Sequence, residues 1–112
     1  MTRPFVGGPV HTDRMEFESE LWLWSAKEGD SWVFVSVPED VSDEVRDLAG
    51  PPRGFGSVRV EATIGATTWR TSVFPNSKEP GCFALPVKKA VRRSEDLDIG
   101  DTAAVRLLVL DA

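Results

Sequence analysis

Residues 57–74, SVRVEATIGATTWRTSVF, combine two runs of alternating apolar and polar side chains with a glycine between them. Alternation with a period of two is typical of a strand that has one buried face. Gly65 at the first position of a two-residue loop favours a type II′ turn. The stretch therefore predicts a β-hairpin, and this hairpin constrains the fold more than any other segment does.

The turn fixes which residues of the hairpin face each other. One face pairs mostly apolar residues: Ile64 with Thr67, Ala62 with Trp69, Val60 with Thr71, and Val58 with Val73. The other face pairs Glu61 with Arg70 and Arg59 with Ser72. The opposite charges of Glu61 and Arg70 support this register. Because the pair is exposed, we expect it to contribute only about 0–1 kcal/mol to stability.

Alternation and short apolar runs predict four further strands. They cover Glu16–Trp24, Trp32–Val37, residues 82–85 and Thr102–Leu110. The first and the last of these become apolar on both sides toward their ends. We therefore expect both faces of these two strands to be buried there.

Two short helices are predicted between the strands. Residues 39–50 space three apolar residues along one helix face and end at Gly50, a typical C-terminal stop. The second helix begins at Pro86, a first-turn position where a missing N–H is tolerated. Its apolar stripe consists of Val87, Ala90 and Val91.

Six short strands and two helices favour a mainly β fold, and a closed barrel leaves no strand edge unpaired. We predict a small single-domain β-barrel over residues 15–112. Residues 1–14 contain two prolines and two glycines without periodicity, which predicts a flexible N-terminal tail. The tryptophans are expected in the barrel core, with Trp22 or Trp24 as the exception; they are Trp22, Trp24, Trp32 and Trp69.

The net charge is −5, so the protein as a whole is not cationic, whereas nucleic-acid-binding domains commonly are. The charge is uneven, since residues 1–50 hold 4 Lys or Arg and 11 Asp or Glu, whereas residues 51–112 hold 9 and 7. Only the second half can present a basic surface. No segment approaches the roughly 20 apolar residues that cross a bilayer, and no signal segment is visible. We expect a cytoplasmic protein without a membrane partner.

The sequence contains few residues that could be catalytic or bind a metal ion. His11 is the only histidine and Cys82 the only cysteine, so four zinc ligands at a familiar spacing are absent and no disulfide can form within the chain. A nucleophilic Cys82 would need a base, which the sequence near it does not supply. We predict no catalytic residue, no metal site and no cofactor, and hence a protein that is not an enzyme.

The segment LPVKKAVRRSEDLDIGD, residues 85–101, places four cations before four acids. The cations are Lys88, Lys89, Arg92 and Arg93, and the acids are Glu95, Asp96, Asp98 and Asp101. Like charges four residues apart cost roughly 0.2–0.5 kcal/mol in a helix, but cations near a helix C-terminus gain about 0.3–1 kcal/mol. Two interpretations stay open: the cations bind an anion, or the acids that follow neutralise them.

Several motifs together resemble a bacterial family of small domains of unknown function. They are WVFVSVPEDVSDEVR, WRTSVFP and LPVKKAVRR, followed by Gly-Asp and an alternating strand, and the likeness extends from Phe17 to Leu110. In that family the domain occurs alone or fused ahead of a YdeI/OmdA-type domain, and its fold is similar to double-split β-barrels. The resemblance implies a fold and leaves the activity open. Cys82-Phe83 departs from the tyrosine expected nearby, which puts in doubt any site that uses a phenol there.

A shorter resemblance concerns residues 85–101 alone. This segment is similar to a unit of AbrB- and MazE-like barrels, which dimerise and place basic residues on DNA. The matching residues are Leu85, Pro86, Lys88, Arg92, Leu97, Gly100 and Asp101. In this chain the unit can instead be structural. Gly100-Asp101 would then make a turn, and Leu97 and Ile99 would fill the core.

We predict a non-catalytic binding module whose basic surface takes a small anionic ligand or a protein partner. The predicted ligand-binding residues are Arg59, Arg70 and Ser72 on the hairpin and Lys88, Lys89, Arg92 and Arg93 on the second helix. One alternative is an AbrB-like DNA-binding dimer, although the acidic net charge makes nucleic acid the less favoured partner. Another is an enzyme with an unrecognised site at Cys82 or a carboxylate. Monomer and dimer both stay open.

Overall fold

Six antiparallel strands close into a barrel in the order β1-β2-β5-β4-β3-β6. A computed structural model describes residues 14–25, 31–50 and 56–110. The elements are β1 (Arg14–Ser25), β2 (Ser31–Val37), α1 (Glu39–Ala49), β3 (Val58–Ile64), β4 (Thr67–Pro75), β5 (Phe83–Pro86), α2 (Lys89–Ser94) and β6 (Thr102–Val109). The predicted barrel of six strands and two helices is confirmed. The predicted tail lies outside the described residues except for Arg14, which already belongs to β1.

The β3–β4 hairpin has the predicted register. Its pairs run from Ile64 opposite Thr67 to Val58 opposite Val73. Gly65 has a positive φ of 59°, as the first residue of the predicted turn requires. Glu61 and Arg70 lie opposite each other, with 3.5 Å between a carboxylate oxygen and the guanidinium Nε. Local alternation and one glycine were therefore sufficient to fix this part of the barrel.

Strand β1 changes partner halfway along its length. It pairs with β6 from Arg14 to Glu20 and with β2 from Leu21 to Ser25. At the change, the Leu21 N–H donates to the Asp101 carbonyl at 2.9 Å, and the Gly100 N–H donates to the Leu21 carbonyl at 2.8 Å. The turn predicted at Gly100-Asp101 is thus confirmed, and it joins the two parts of the barrel at Leu21.

Strands β4 and β5 pair at only two described positions, which are Phe74 with Ala84 and Pro75 with Phe83. The part of β4 before Phe74 separates from β5. The chain after β5 stays with β2 instead, because the Val87 N–H donates to the Val33 carbonyl at 2.8 Å. The barrel wall is therefore split between β4 on one side and β2 with residues 86–87 on the other.

The core is formed by the alternate residues that point into the barrel. Its fully buried large side chains include Leu21, Val35, Val60, Val73, Leu85, Val105 and Leu107. Helix α1 packs against β1, β3 and β6 with Val41 and Val45 buried, as predicted. Ser42 is also fully buried, where its hydroxyl donates to the Val37 carbonyl at 3.1 Å and accepts from the Phe83 N–H at 3.0 Å. This hydroxyl connects the ends of β2 and β5.

The prediction that the end of β1 is buried on both faces is wrong. Leu23 is 47% exposed and Trp24 is 41% exposed. Beyond Leu21, β1 has left β6 and pairs only with β2, so this part of the hairpin extends past the barrel core. Among the tryptophans, Trp69 is buried and Trp22 or Trp24 is the exception, as predicted, since Trp22 is half-buried and Trp24 exposed. The predicted core position is wrong for Trp32, which lies opposite Trp24 on the same hairpin end and is 53% exposed.

The predicted start of the second helix is also wrong. Pro86 is the last residue of β5, and α2 begins at Lys89. The hydrogen bond from Val87 to β2 keeps the chain extended past the proline, so the helix cannot begin there. As a result Ala90 is exposed, while Val87 and Val91 are buried.

Two smaller expectations near these elements also fail. Ile99 is exposed rather than in the core, whereas Leu97 packs against the core. Cys82 precedes β5 instead of lying within it.

Candidate functional site

A cleft of about 340 Å³ lies where β4 has separated from β5. Its walls come from β2, β4, the end of β5 and the start of α2. The lining residues are Trp32, Val33, Trp69, Arg70, Thr71, Pro86, Val87, Lys88, Lys89 and Arg92. Its position follows from the fold. Because Val87 hydrogen-bonds to β2, no strand pairs with the part of β4 before Phe74, and the cleft lies beside that part.

Four of the seven predicted ligand-binding residues line this cleft: Arg70, Lys88, Lys89 and Arg92. The lining contains no carboxylate. Lys88 and Lys89 stand at the start of α2, and Arg92 is one turn further along the helix. The topology thus brings a cation from the hairpin together with three cations from the basic segment, which lie 18 or more positions away in the sequence.

The other three predicted residues lie outside the cleft lining. Arg59 is exposed on β3, and Ser72, its partner across the hairpin, is half-buried on β4. Arg93 is exposed on α2 but is not among the residues that line the cleft. These three positions therefore provide exposed or half-exposed polar groups that can serve as controls for the cleft.

Arg92 is held in position by its own backbone surroundings. Its Nε donates to the Val87 carbonyl at 3.1 Å, and the side chain is half-buried. Among the described residues, its two terminal nitrogens make no further hydrogen bond. Because a guanidinium presents its donors in a rigid plane, fixing Nε also orients the terminal N–H groups.

The cleft cations differ in how far they are already paired. Arg70 has Glu61 at 3.5 Å, although its side chain is 67% exposed, so water screens this pair. Lys88 and Lys89 are exposed, and within the described segments no carboxylate oxygen lies within 4.0 Å of either ammonium group. Three of the four cleft cations therefore have no ion-pair partner in the described part of the chain.

Two of the four acids that follow the basic segment, Glu95 and Asp101, hold the hairpin and the backbone. Glu95 Oε2 accepts a hydrogen bond from the Thr67 hydroxyl at 2.6 Å, which connects the end of α2 to β4. Asp101 Oδ2 accepts from the Asp98 N–H at 2.8 Å inside the turn. The helix macrodipole favours Arg92 and Arg93, which lie in the last turn of α2. It does not favour Lys88 and Lys89, which lie at the opposite end of α2, so the expectation that all four cations gain from it is wrong.

Trp32 forms an aromatic edge of the cleft that sequence reasoning missed. Its ring stacks on that of Phe34 with centroids 6.3 Å apart and planes 15° apart. Phe34 in turn contacts Trp22, at a centroid distance of 5.2 Å. The signal was present in the alternation of β2: Val33, Val35 and Val37 point inward, so Trp32 and Phe34 had to point outward.

Other reactive groups do not gather near the cleft. In the described segments no three His, Cys, Asp or Glu side chains come together as a metal site would require. Burial raises the pKa of the Cys82 thiol, and the nearby carboxylates of Glu79 and Glu39 raise it further. The thiol is therefore less ionised than an ordinary cysteine at neutral pH. Neither described helix has the length and hydropathy needed to cross a bilayer.

A family model for a domain of unknown function (DUF1905) matches residues 17–107, which extend from β1 into β6. The matched region contains every residue of the cleft lining. No curated protein matches the chain.

Proposed function

The chain belongs to the family of the domain of unknown function DUF1905, and on this premise we propose that it is a non-catalytic domain that binds a small anionic ligand in the cleft. The observation that carries the proposal is the convergence of Arg70, Lys88, Lys89 and Arg92 on one concave surface without a carboxylate. A phosphate or carboxylate group placed there meets several N–H donors at once. Charge-assisted hydrogen bonds of this kind are roughly twice as strong as neutral ones.

The volume of the cleft is compatible with a small ligand. Its volume of about 340 Å³ is within the roughly 300–1,000 Å³ typical of small-molecule sites. Arg92 is the best-placed anchor because its Nε is already bonded to the Val87 carbonyl, so its side chain loses less freedom on binding. Lys88 and Lys89 add long, mobile side chains that can close over an anion.

The cleft fits a small anion better than duplex DNA. A DNA-binding surface spreads its cations along an exposed stripe that follows the phosphate backbone, whereas these cations line a concave space. The outer face of β1 carries Glu18 and Glu20, which are exposed and have no ion-pair partner among the described residues, so they would repel a polyanion. The similarity to AbrB- and MazE-like barrels, the fusion with a YdeI/OmdA-type domain, the bacterial origin and the cytoplasmic location stay predictions.

Thermal unfolding with inorganic phosphate, pyrophosphate and sulfate tests the proposal. A ligand at 100 times its Kd stabilises the folded protein by about 2.7 kcal/mol, which raises the Tm by several degrees. We expect the double variant Lys88→Ala/Arg92→Ala to lose this increase. Arg59→Ala/Arg93→Ala removes the same charge outside the cleft and serves as the matched control.

Two results would contradict the proposal. One is that none of the anions raises the Tm of the unmodified protein. The other is that the control variant loses the increase as fully as the cleft variant does, which would indicate only a general response to net charge. Duplex DNA that binds at low salt, with an affinity that falls steeply as salt is added, would favour the DNA-binding alternative instead.

A further inference from the structure

We infer that the ligand of the cleft carries a flat aromatic ring beside its anionic group, as a nucleoside monophosphate does. This inference rests on the proposed function and adds the class of ligand to it. It depends on Trp32, which lies at the edge of the same cleft as the cations of α2.

Trp32 is exposed because its part of the β1–β2 hairpin extends past the barrel core, and its ring is therefore available to a ligand. Its indole is 53% exposed, although Trp69 of the same cleft is buried. A large aromatic ring that packs a core loses most of its exposed surface, and Trp32 has not done so. An exposed indole beside unpaired cations is the combination that binds an aromatic anion, because the ring supplies a stacking surface and the cations take the charge.

The indole also packs against a neighbouring ring. Phe34 stacks on it with nearly parallel planes, and Trp22 contacts Phe34 from the neighbouring strand. The row of rings on the outer face of the β1–β2 hairpin therefore restricts the motion of the Trp32 ring before any ligand arrives. A ring that is already ordered loses little conformational freedom when a second ring stacks on it.

The size of the cleft suits a ligand with one ring system and one anionic group. A volume of about 340 Å³ is at the lower end of the usual range for small-molecule sites, roughly 300–1,000 Å³. A dinucleotide would extend well outside it. The geometry thus favours a compact aromatic phosphate, with its ring on Trp32 and its phosphate on Lys88, Lys89 and Arg92.

Calorimetric titration with three probes separates the two parts of this ligand. Adenosine monophosphate has the ring and the phosphate, ribose 5-phosphate lacks the ring, and adenosine lacks the phosphate. We expect adenosine monophosphate to bind roughly 5- to 150-fold more tightly than ribose 5-phosphate, which is the usual gain from stacking one base on an aromatic side chain. Adenosine should bind the most weakly, because it leaves the cations unpaired.

Variants assign the gain to Trp32. Trp32→Leu should reduce the affinity for adenosine monophosphate to that for ribose 5-phosphate, and Trp32→Phe should restore most of the difference. Trp24→Leu is the matched control, since Trp24 lies directly opposite Trp32 on β1, is exposed, and does not line the cleft. If Trp32→Leu fails to fold, Trp32→Phe still gives a test. The folded phenylalanine variant should keep most of the difference in affinity between adenosine monophosphate and ribose 5-phosphate.

The outcomes distinguish this inference from the proposed function. Equal affinities for adenosine monophosphate and ribose 5-phosphate, both abolished by Arg92→Gln, would overturn the aromatic ligand and leave the anion site standing. No binding of any probe would overturn both. A short single-stranded oligonucleotide that binds far more tightly than adenosine monophosphate would replace the mononucleotide with a polymer and would also overturn the inference.

Discussion

Replacing Gly65 with alanine tests how α2, which carries the cleft cations, is fastened to the β3–β4 hairpin. Gly65 has a φ of 59°, and a Cβ at this position would overlap the Glu95 carboxylate. Glu95 Oε2 accepts a hydrogen bond of 2.6 Å from the Thr67 hydroxyl. Alanine at position 65 must therefore displace the Glu95 carboxylate, and we expect this displacement to remove the hydrogen bond to Thr67.

Two costs combine in the Gly65→Ala variant. A left-handed conformation costs an L-residue about 1–2 kcal/mol, and a hydrogen bond to a charged group contributes about 1.5–3 kcal/mol. Because Glu95 is half-exposed, we take the lower value of each range. The free energy of unfolding should then fall by about 2.5 kcal/mol in Gly65→Ala and by about 1.5 kcal/mol in Glu95→Ala.

The double variant gives the decisive comparison. In a Glu95→Ala background neither the overlap nor the hydrogen bond exists, so Gly65→Ala should cost only about 1 kcal/mol there. The two substitutions should therefore be non-additive by about 1.5 kcal/mol in equilibrium urea unfolding followed by tryptophan fluorescence. Gly50→Ala is the control, because Gly50 also has a positive φ but an added Cβ meets no atom within 4 Å. Additivity of Gly65→Ala and Glu95→Ala to within about 0.5 kcal/mol would refute the reasoning.

Three further predictions concern the core and the single thiol. Ser42→Ala should lower the free energy of unfolding by about 1–3 kcal/mol, because the buried Phe83 N–H loses its acceptor, whereas exposed Glu44→Ala on the same helix should change it by no more than about 0.5 kcal/mol; equal effects would contradict this. Leu21→Ala should cost about 2–5 kcal/mol and Leu23→Ala only about 1 kcal/mol, since the first side chain is 1% exposed and the second 47% exposed, and similar losses in urea unfolding would contradict the position of the hairpin end. The pH profile of Cys82 alkylation should have a higher midpoint in the folded protein than in the urea-unfolded chain, because burial and nearby carboxylates raise its pKa; coincident midpoints would disprove the shift.

Local signals were sufficient wherever one short segment determined its own geometry. The alternation of residues 58–73 and the glycine at position 65 predicted a register that the barrel reproduces pair by pair. The apolar spacing of α1 and the stop at Gly50 likewise predicted a helix that is observed at Glu39–Ala49. These features depend on residues a few positions apart, so a short stretch of sequence is sufficient to predict each of them.

Features that depend on distant segments could not be predicted in the same way. Proline is common in the first turn of helices, which is why a helix was predicted to begin at Pro86. Here the carbonyl of Val33, more than fifty residues earlier, accepts a hydrogen bond from Val87 and keeps that residue extended. Trp32 was assigned to the core because it is large and apolar, yet the end of the β1–β2 hairpin that carries it lies beyond the point where β1 leaves β6. In the cleft, residue type alone was sufficient to predict the cations Arg70, Lys88, Lys89 and Arg92 as ligand-binding residues. That they line the same cleft as Trp32 depends on the separation of β4 from β5.

The position of β6 has a consequence for how the protein is made. This strand is the last of the six along the chain, and it hydrogen-bonds to β1 on one side and to β3 on the other. A ribosome that has released residues 14–94 has therefore supplied both neighbours of a gap but not the strand that fills it. Contacts between β1 and β6 join residues more than eighty positions apart, and closing such distant contacts slows folding. During synthesis the edges of β1 and β3 that pair with β6 thus stay unpaired until residues 102–109 emerge, and unpaired strand edges of this kind promote aggregation.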